Sequence, residues 1–466
     1  MLTDEEKEEL YLTWNFFICG ENDTACRIIT REQMKLDQLE YLSYIFGKKT
    51  IIEAVEPKKV EQFFKNSIFN TRSRSAHIAS GIGGKTGVSN REKVEVNFND
   101  APIIKLVNSI LSEAVQSRAS DVHLEPGDEK MITRYRIDGE LKTVLESGSE
   151  NFQAVSSRIK YLARLDITQK LLPQDGKAQV EVNGNFLDLR VSTIPARYGE
   201  SIVIRLLNRS ESFIELEELG LEKETASHIK GLLKQKNGLV LLTGPTGSGK
   251  TTTLYAMLKT LNTPDVKILT VENPVEYEIP GICQVEINEK QGLTFPTILR
   301  HFLRHDPDII MIGEIRDEET ARIAVQASLT GHLVLSTLHT NDAVSAVTRL
   351  MDLGIEPYLL AGSLKGVLAQ RLVRRLCECK KGKPPCIPHG CEKCSHSGYY
   401  GRTAVIEYLA VTSEVQTLIQ RPHAEENINK LLKAEKHLFL SNQLKLLVNQ
   451  GITSTAEAEK LLYSSL

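Results

Sequence analysis

A glycine-rich segment has the residue types and spacing of a loop that binds nucleotide phosphates. It fits G-x-x-x-x-G-K-[ST], in which backbone N–H groups surround the phosphates, the lysine reaches the β- and γ-phosphates and the hydroxyl holds Mg²⁺. Lys250 would therefore contact phosphate, and Thr251 would bind Mg²⁺. The residues that we expect to bind the nucleotide are Gly244, Pro245, Thr246, Gly247, Ser248, Gly249, Lys250, Thr251 and Thr252.

The sequence on both sides of this loop supports the interpretation. Residues 238–243 form a short apolar run that predicts a buried strand, and residues 252–261 space their apolar side chains as a helix does. A strand, a glycine turn and a helix together place the helix N-terminus at the phosphates. A second Gly-Lys-Thr begins at Gly84, but Ala79 stands where its first glycine should be, so we interpret that segment as a flexible linker.

Further candidates follow other apolar runs. Glu314 ends such a run, where a carboxylate could coordinate a metal or orient water. Glu272 and Glu276 lie close together after another run and could supply a base for the attacking water. His339 ends a third run and could contact the γ-phosphate. Each has an ordinary alternative, namely a surface acid, a polar turn or a structural histidine.

Composition limits the class of protein. The 466 residues, 41% hydrophobic and 25% charged, are typical of a soluble protein with about three domains. A net charge of −3 argues against a dedicated nucleic-acid binder, which needs a basic surface. No apolar run approaches the roughly 20 residues of a membrane-spanning helix, and the acidic N-terminus is no signal peptide. We therefore expect a cytoplasmic protein that reaches membranes only through partners.

The pattern of elements predicts an α/β fold whose core is a parallel sheet flanked by helices. The predicted divisions are a helical N-terminal domain at 1–70, a flexible linker at 71–95, a small α+β domain at 96–208, a linker at 209–223, the nucleotide-binding core at 224–375, a cysteine-rich segment at 376–402 and a helical C-terminal region at 403–466.

Five of the eight cysteines crowd into one short segment. In a reducing cytoplasm this spacing indicates a metal rather than disulfides, and four thiolates around Zn²⁺ would make a closed structural site. The ligands would be Cys377, Cys379, Cys391 and Cys394, or Cys386 would replace one of the first pair. A metal-free loop of reduced thiols is the alternative.

Taken in order, these motifs resemble the secretion ATPase family, which powers type II secretion and type IV pilus assembly. The resemblance covers about residues 100–410, because the middle domain carries family motifs too. The matching segments are the phosphate loop and residues 271–276, 299–308, 313–317, 331–341, 120–125, 136–139, 173–176, 189–193 and 199–200. It implies a RecA-like P-loop core, a PAS-like middle domain, a zinc-binding insertion, and ATP, Mg²⁺ and Zn²⁺ as cofactors.

The resemblance also implies roles. Glu314 matches the end of the family's Walker B motif, whose usual aspartate is absent here. The acidic box matches 272–276, with Asn273 where the family usually has aspartate. The histidine box matches His332 and His339. The arginines expected to reach the phosphates are Arg190 and Arg205 of the middle domain and Arg300 and Arg304 of the core.

Because Arg190 and Arg205 belong to a separate domain, they would reach the nucleotide only when the domains close. Arg300 and Arg304 could instead form ordinary surface salt bridges. The first cysteine pair departs from the family pattern, since it is C-x-C rather than C-x-x-C.

The resemblance further implies a homohexamer whose N-terminal domain docks to a cytoplasmic segment of an inner-membrane protein. The zinc segment favours the secretion or assembly branch over pilus retraction. We expect type II secretion first and type IV pilus assembly second. A RecA-like nucleic-acid motor and a non-hydrolysing nucleotide switch are the remaining hypotheses.

Overall fold

The computed structural model describes residues 16–21, 25–30, 43, 49–52, 92–94, 102–182, 185–208, 214–435 and 437–463. The chain forms two compact units, Met1–Ser89 and Asn90–Leu466. Within the described ranges, no helix combines the length and the apolar character that crossing a membrane would require.

The described part of the first unit is a three-stranded sheet. Its strands are β1 (Phe16–Glu21), β2 (Ala25–Thr30) and β3 (Lys49–Ile52). The prediction of a mostly helical 1–70 is wrong for these residues, because their aromatic and β-branched side chains favour an extended backbone. Apart from these strands and Ser43, the residues of 1–70 lie outside the described part of the chain.

The predicted linker at 71–95 is wrong near its end. Strand β4 (Glu92–Val94) pairs in parallel with a strand of the middle domain, so sheet pairing begins before residue 96. Residues 71–91 lie outside the described residues.

The middle domain is a sheet covered by two helices, and the sheet is antiparallel except where β4 joins its edge. Its core contains Val107 and Leu111 from the first helix and Val155 and Ile159 from the second. The predicted turn at Asp138 joins the strands Lys130–Ile137 and Glu140–Gly148. The elements are α1 (Pro102–Gln116), β5 (Ala119–Pro126), β6 (Lys130–Ile137), β7 (Glu140–Gly148), α2 (Phe152–Leu162), β8 (Gln174–Val182), β9 (Asn185–Ala196) and β10 (Gly199–Asn208).

The nucleotide-binding core contains a seven-stranded sheet. The sheet is parallel, as predicted, except at one edge. Its strands are β11 (Gly238–Thr243), β12 (Ile268–Glu272), β13 (Cys283–Glu286), β14 (Ile309–Ile312), β15 (Leu333–Leu338), β16 (Leu364–Leu376) and β17 (Tyr399–Ala410). Their order is β13-β12-β14-β15-β11-β16-β17, and only β17 is antiparallel to its neighbour. Strands β11, β14 and β15 are buried throughout, which explains their continuous apolar runs.

Helices cover the core sheet and form the C-terminal region. They are α3 (Lys223–Leu233), α4 (Lys250–Leu261), α5 (Phe295–Phe302), α6 (Glu318–Leu329), α7 (Ala343–Asp352), α8 (Pro357–Ser363), α9 (Ser413–Ile419), α10 (Ala424–Ala434), α11 (Leu440–Asn449) and α12 (Thr455–Tyr463). The predicted helical region at 403–466 is wrong over 403–410, because these residues continue β17 and pair with β16.

The parallel strands bring the predicted site residues to one edge of the sheet. The phosphate loop follows β11, Glu272 ends β12, Glu314 comes soon after β14, and His339 comes directly after β15. Ligands of open α/β sheets bind outside the carboxyl ends of the strands. The topology therefore places these residues at one candidate site.

Candidate active site

Lys250 is folded against its own loop. Its Nζ donates to the carbonyl oxygens of Gly244, at 2.6 Å, and Pro245, at 3.1 Å. Burial lowers the pKa of Lys250 to about 8; the carboxylate of Glu314 opposes this change and the charge of Arg371 adds to it. The lysine is thus a partly desolvated cation, which an anionic ligand would stabilise.

Glu314 and His339 lie together near Lys250. The Nε2 atom of His339 is 3.4 Å from Oε2 of Glu314, and Arg316 is 2.7 Å from the other carboxylate oxygen. Burial, followed by the positive charge of Lys250, lowers the pKa of His339. This shift favours the neutral ring, in which one nitrogen donates a hydrogen bond and the other accepts one. His332, the other histidine of the predicted histidine box, has its Nδ1 atom 2.9 Å from the carbonyl oxygen of Ala327 near the end of α6.

Glu272 is buried within a hydrogen-bonded network. Its carboxylate accepts hydrogen bonds from the hydroxyl of Tyr255, from Thr270 at 2.6 Å and from the amide of Gln284 at 3.1 Å. These donors anchor the carboxylate between α4, β12 and β13. The carboxylate of Glu272 is therefore already engaged within the fold, and Glu276 is the other candidate base of the acidic box.

Tyr255 is a residue that the sequence interpretation missed. Besides donating to Glu272, its hydroxyl accepts the backbone N–H of Glu276 at 3.3 Å. It thereby connects the helix after the phosphate loop to the acidic box. A tyrosine at a buried position of a helix could have indicated these contacts, because a buried hydroxyl usually has a polar partner.

Arg190 connects the middle domain to the acidic box. Its Nη1 atom lies 2.9 Å from Oε2 of Glu276, and its Nη2 donates to the carbonyl of Val275 at 2.8 Å. The two contacts use both arms of the guanidinium fork. A residue predicted to approach the nucleotide from the neighbouring domain therefore touches the core beside the candidate base.

Arg205 lines a cavity between the middle domain and the core. The cavity has a volume of about 410 Å³ and is also lined by Thr251, Arg118 and Arg402. Its size falls within the roughly 300–1,000 Å³ of ligand pockets. Arg205 is held by Asp121, whose Oδ1 lies 3.2 Å from Nε. Arginines around the exposed Thr251 suit a phosphate-bearing ligand. Neither Arg118 nor Arg402 was among the predicted site residues.

Arg300 and Arg304 have their described partners elsewhere. Arg300 forms an ion pair with Glu319 of α6. Arg304 donates to the carbonyl of Arg300 at 3.0 Å and approaches His301 at 2.8 Å. Arg300 therefore forms the kind of surface salt bridge that was the alternative interpretation, whereas the described contacts of Arg304 are with a carbonyl and a histidine.

The structure brings together the four cysteines of the first predicted ligand set. Their sulfur atoms all lie within 4.8 Å of one another. The Sγ separations are 3.8 Å for Cys377 and Cys391, 3.9 Å for Cys379 and Cys394, and 3.7 Å for Cys391 and Cys394. Tetrahedral Zn²⁺ with Zn–S bonds of about 2.3 Å requires separations of about 3.8 Å. The residues therefore fit zinc.

Cys386, the predicted substitute, lies outside this cluster. It packs in a small apolar cluster with Leu376 and Tyr399. Cys394 has the surroundings of a thiolate: although burial opposes ionisation, N–H donors from Cys391 and Gly398 help to lower its pKa to about 6. Ionised sulfur is the form that binds metal.

Comparison with known proteins places the chain in a family. Residues 97–460 match the model of the family described as Type II/IV secretion system protein. The chain belongs to the secretion ATPase family. The predicted resemblance to this family and the predicted α/β fold are thereby confirmed.

Several curated relatives of this secretion ATPase carry type II secretion names. It is 51% identical to type II secretion system protein HxcR of Pseudomonas aeruginosa over 338 residues, 72% of each chain. It is 46% identical over 386 residues to type II secretion system ATPase E of Vibrio cholerae, covering 79% of this chain and 76% of the relative. With type II secretion system protein E of Klebsiella pneumoniae it shares 44% identity over 459 residues, 94% of this chain and 92% of the relative.

Solved structures show the same fold. The pilus retraction motor PilT with bound ADP matches this secretion ATPase with a TM-score of 0.55 and 27% identity, over 76% of this chain and 96% of PilT. The ATPase DotB of Legionella pneumophila matches with a TM-score of 0.61 and 22% identity, over 81% of this chain and 100% of DotB.

Proposed function

We propose that this protein hydrolyses ATP to ADP and phosphate with Mg²⁺ and uses the reaction to drive pseudopilus assembly in a type II secretion system. The observation that carries the proposal is the contact between Arg190 of the middle domain and Glu276 of the core. It brings a cation that can move with one domain to the acidic box of the other, at the edge of the sheet that carries the phosphate loop.

The chemistry would proceed by exchange of partners. Lys250 would leave the carbonyls of Gly244 and Pro245 for the β- and γ-phosphate oxygens, and Thr251 would hold Mg²⁺. Bound Mg²⁺ would neutralise charge that develops on the phosphates. Arg190 would move from Glu276 to the phosphates. That move would leave the Glu276 carboxylate able to accept a proton from the attacking water.

Glu314 and His339 would respond to the γ-phosphate. The pair lies 3.4 Å apart, close to Lys250, and Arg316 holds the carboxylate from the other side. Arg205, which lines the cavity beside Thr251, would add a second cation from the middle domain. Arg300 and Arg304 would act on the nucleotide only if they gave up their present partners.

The assembly around this site is also a proposal. We infer a cytoplasmic homohexamer at the inner face of the inner membrane, whose N-terminal unit binds a cytoplasmic segment of a membrane partner and which binds no nucleic acid directly. The names of the relatives support a secretion role. The four-cysteine cluster would bind Zn²⁺ as a structural site, because all four positions are filled by protein ligands.

Phosphate release by the purified protein tests the reaction. Lys250→Ala should abolish release, whereas Lys259→Ala should not, because Lys259 is on the same helix but pairs with Glu215 at the surface, at 3.0 Å. Turnover that survives Lys250→Ala would overturn the active site. Absence of turnover in the unaltered protein, with nucleotide still bound, would favour the non-hydrolysing switch. Salt-sensitive DNA binding would favour the nucleic-acid motor.

Type IV pilus assembly is the alternative role. Deletion of the protein in its host separates the two: loss of extracellular enzymes supports type II secretion, and loss of surface pili with secretion intact supports pilus assembly. The names of the relatives favour the first outcome.

A further inference from the structure

Strand β16 brings two polar side chains to the phosphate loop. It runs parallel to β11, with Ala369 opposite Thr243, the last residue of β11. Strand β16 continues beyond this point, so Gln370 and Arg371 stand beside the loop that begins at Gly244. Both side chains belong to residues that are almost fully buried, with 1% and 5% exposure.

Gln370 holds the second half of the loop. Its Nε2 donates to the carbonyl of Ser248 at 2.9 Å, and its Oε1 accepts from the hydroxyl of Thr253 at 2.8 Å. The approach is close: a Cβ added at Gly249 would lie 2.9 Å from Nε2 of Gln370. Gln370 therefore fixes both the loop and the first turn of α4.

Arg371 connects this strand to the segment that carries the histidine. Its Nη2 donates to the backbone oxygen of Asn341 at 2.7 Å, and its Nη1 donates to the carbonyl of Gln370 at 3.2 Å. Asn341 comes two residues after His339. The residue between them is also anchored, because the N–H of Thr340 donates to the hydroxyl of Thr243 at 2.9 Å.

The charge of Arg371 also acts on the site. Burial lowers the pKa of Arg371, while the carboxylates of Asp342 and Glu407 oppose the change. The guanidinium in turn lowers the pKa of Lys250. Two buried cations therefore lie near the phosphate loop, and a polyphosphate between them would relieve their repulsion.

We propose that Arg371 is a positioning residue for hydrolysis, which holds Asn341, and through it His339, against the phosphate loop. This inference rests on the ATP hydrolysis proposed above. Lysine should be a poor replacement, because a single ammonium group cannot reproduce the planar fork that reaches Asn341 and Gln370 together. The effect should appear in the chemical step, since misplacing a catalytic group by about 1 Å can cost 10²-fold.

The test compares Arg371→Lys with Arg375→Lys, an exposed arginine on the same strand. Arg371→Lys should lower kcat by roughly 10- to 100-fold, with little change in the Kd of a fluorescent ATP analogue or in Tm. Arg375→Lys should match the unaltered protein. Gln370→Leu should instead weaken nucleotide binding, because it loosens the loop itself.

A double variant decides whether Arg371 acts through His339. If it does, Arg371→Lys combined with His339→Ala should be no slower than His339→Ala alone. Fully additive losses, or a loss of nucleotide affinity equal to the loss of kcat, would overturn the inference. If the unaltered protein hydrolyses ATP and Arg371→Lys does so equally well, this inference fails and the proposed function stands. If the unaltered protein releases no phosphate, the proposed function itself fails.

Discussion

The guanidinium of Arg190 lies 2.9 Å from the carboxylate of Glu276, so the middle domain already touches the acidic box of the core. An arginine that pairs with the candidate base cannot at the same time use that arm on a phosphate. The contact therefore defines two exclusive partners for one side chain. In the proposed cycle, binding of nucleotide shifts the arginine from the first partner to the second.

Replacing Arg190 should slow hydrolysis. Arg190→Ala should lower kcat by up to about 10³-fold, the lower end of the range for arginines that stabilise phosphoryl transfer. Lys177→Ala is the matched control, because Lys177 contacts Glu286 across the same boundary, at 3.2 Å, but is exposed. Steady-state phosphate release measures both. A faster Arg190→Ala enzyme would show that the Arg190–Glu276 pair restrains the site instead.

The two glutamates of the acidic box should respond differently to substitution. Glu272→Ala removes the acceptor of three donors, two of them buried, and should lower the free energy of unfolding by roughly 2–4 kcal/mol. Glu276→Gln should leave stability almost unchanged and abolish turnover. Thermal unfolding and phosphate release on the same samples separate the effects. A stable, inactive Glu272→Ala would assign the base to Glu272.

Nucleotide affinity should depend on the protonation of Lys250. Its pKa is about 8 in the nucleotide-free chain, and phosphate, which favours the charged form, should raise it. Affinity for ATP should therefore fall by up to about tenfold for each pH unit above 8, and binding there should take up a proton. Calorimetry in buffers of different ionisation enthalpy measures that uptake. Lys250→Arg, which stays protonated, should bind with no such pH dependence.

The lowered pKa of Lys250 also predicts how the stability of the fold changes with pH. The pKa of Lys250 is lower in the folded chain than its ordinary value of 10.5. Between about pH 8 and 10.5 the unfolded chain thus binds more protons, and this residue makes the nucleotide-free fold more stable as the pH rises through that window. The contribution is lost as the pH falls back towards 8.

Zinc content should follow the four-cysteine cluster. Purified protein should contain about one zinc per chain, the stoichiometry of a single four-ligand site. Cys379→Ser should lose the metal, whereas Cys386→Ser should keep it, because Cys386 packs with Leu376 and Tyr399 outside the cluster. Elemental analysis with thermal unfolding measures both. Loss of zinc from Cys386→Ser with full retention in Cys379→Ser would contradict the ligand set.

The sequence predicted the elements that a continuous motif describes. The buried strand, glycine loop and helix around Lys250 form as expected, because each local preference agrees with the fold. The pairing of His339 with Glu314 could not be predicted from the sequence. Those residues meet only because β14 and β15 are neighbours in the sheet, which is a property of strand order.

Other residues were missed for a related reason. Arg371 and Tyr255 belong to no short motif, and their importance comes from partners distant in the chain. The first unit was misjudged because its described strands are short and lie among helix-like sequence. The run 403–410 was misjudged because it forms a strand only by pairing with β16, on the far side of the cysteine segment.

Strand β16 has a mechanical consequence. Arg371 lies on it beside the phosphate loop, and Cys377 directly follows its last residue. Cys377 is six residue steps along the extended chain from Arg371, a span of about 20 Å at roughly 3.3 Å per residue. Strand β17 pairs with β16 along this stretch, with one irregularity between Arg374 and Leu376, so a displacement of the cysteine segment would reach Arg371 through the paired strands. The rate of ATP hydrolysis should therefore report, at a distance, whether the cysteines hold their metal.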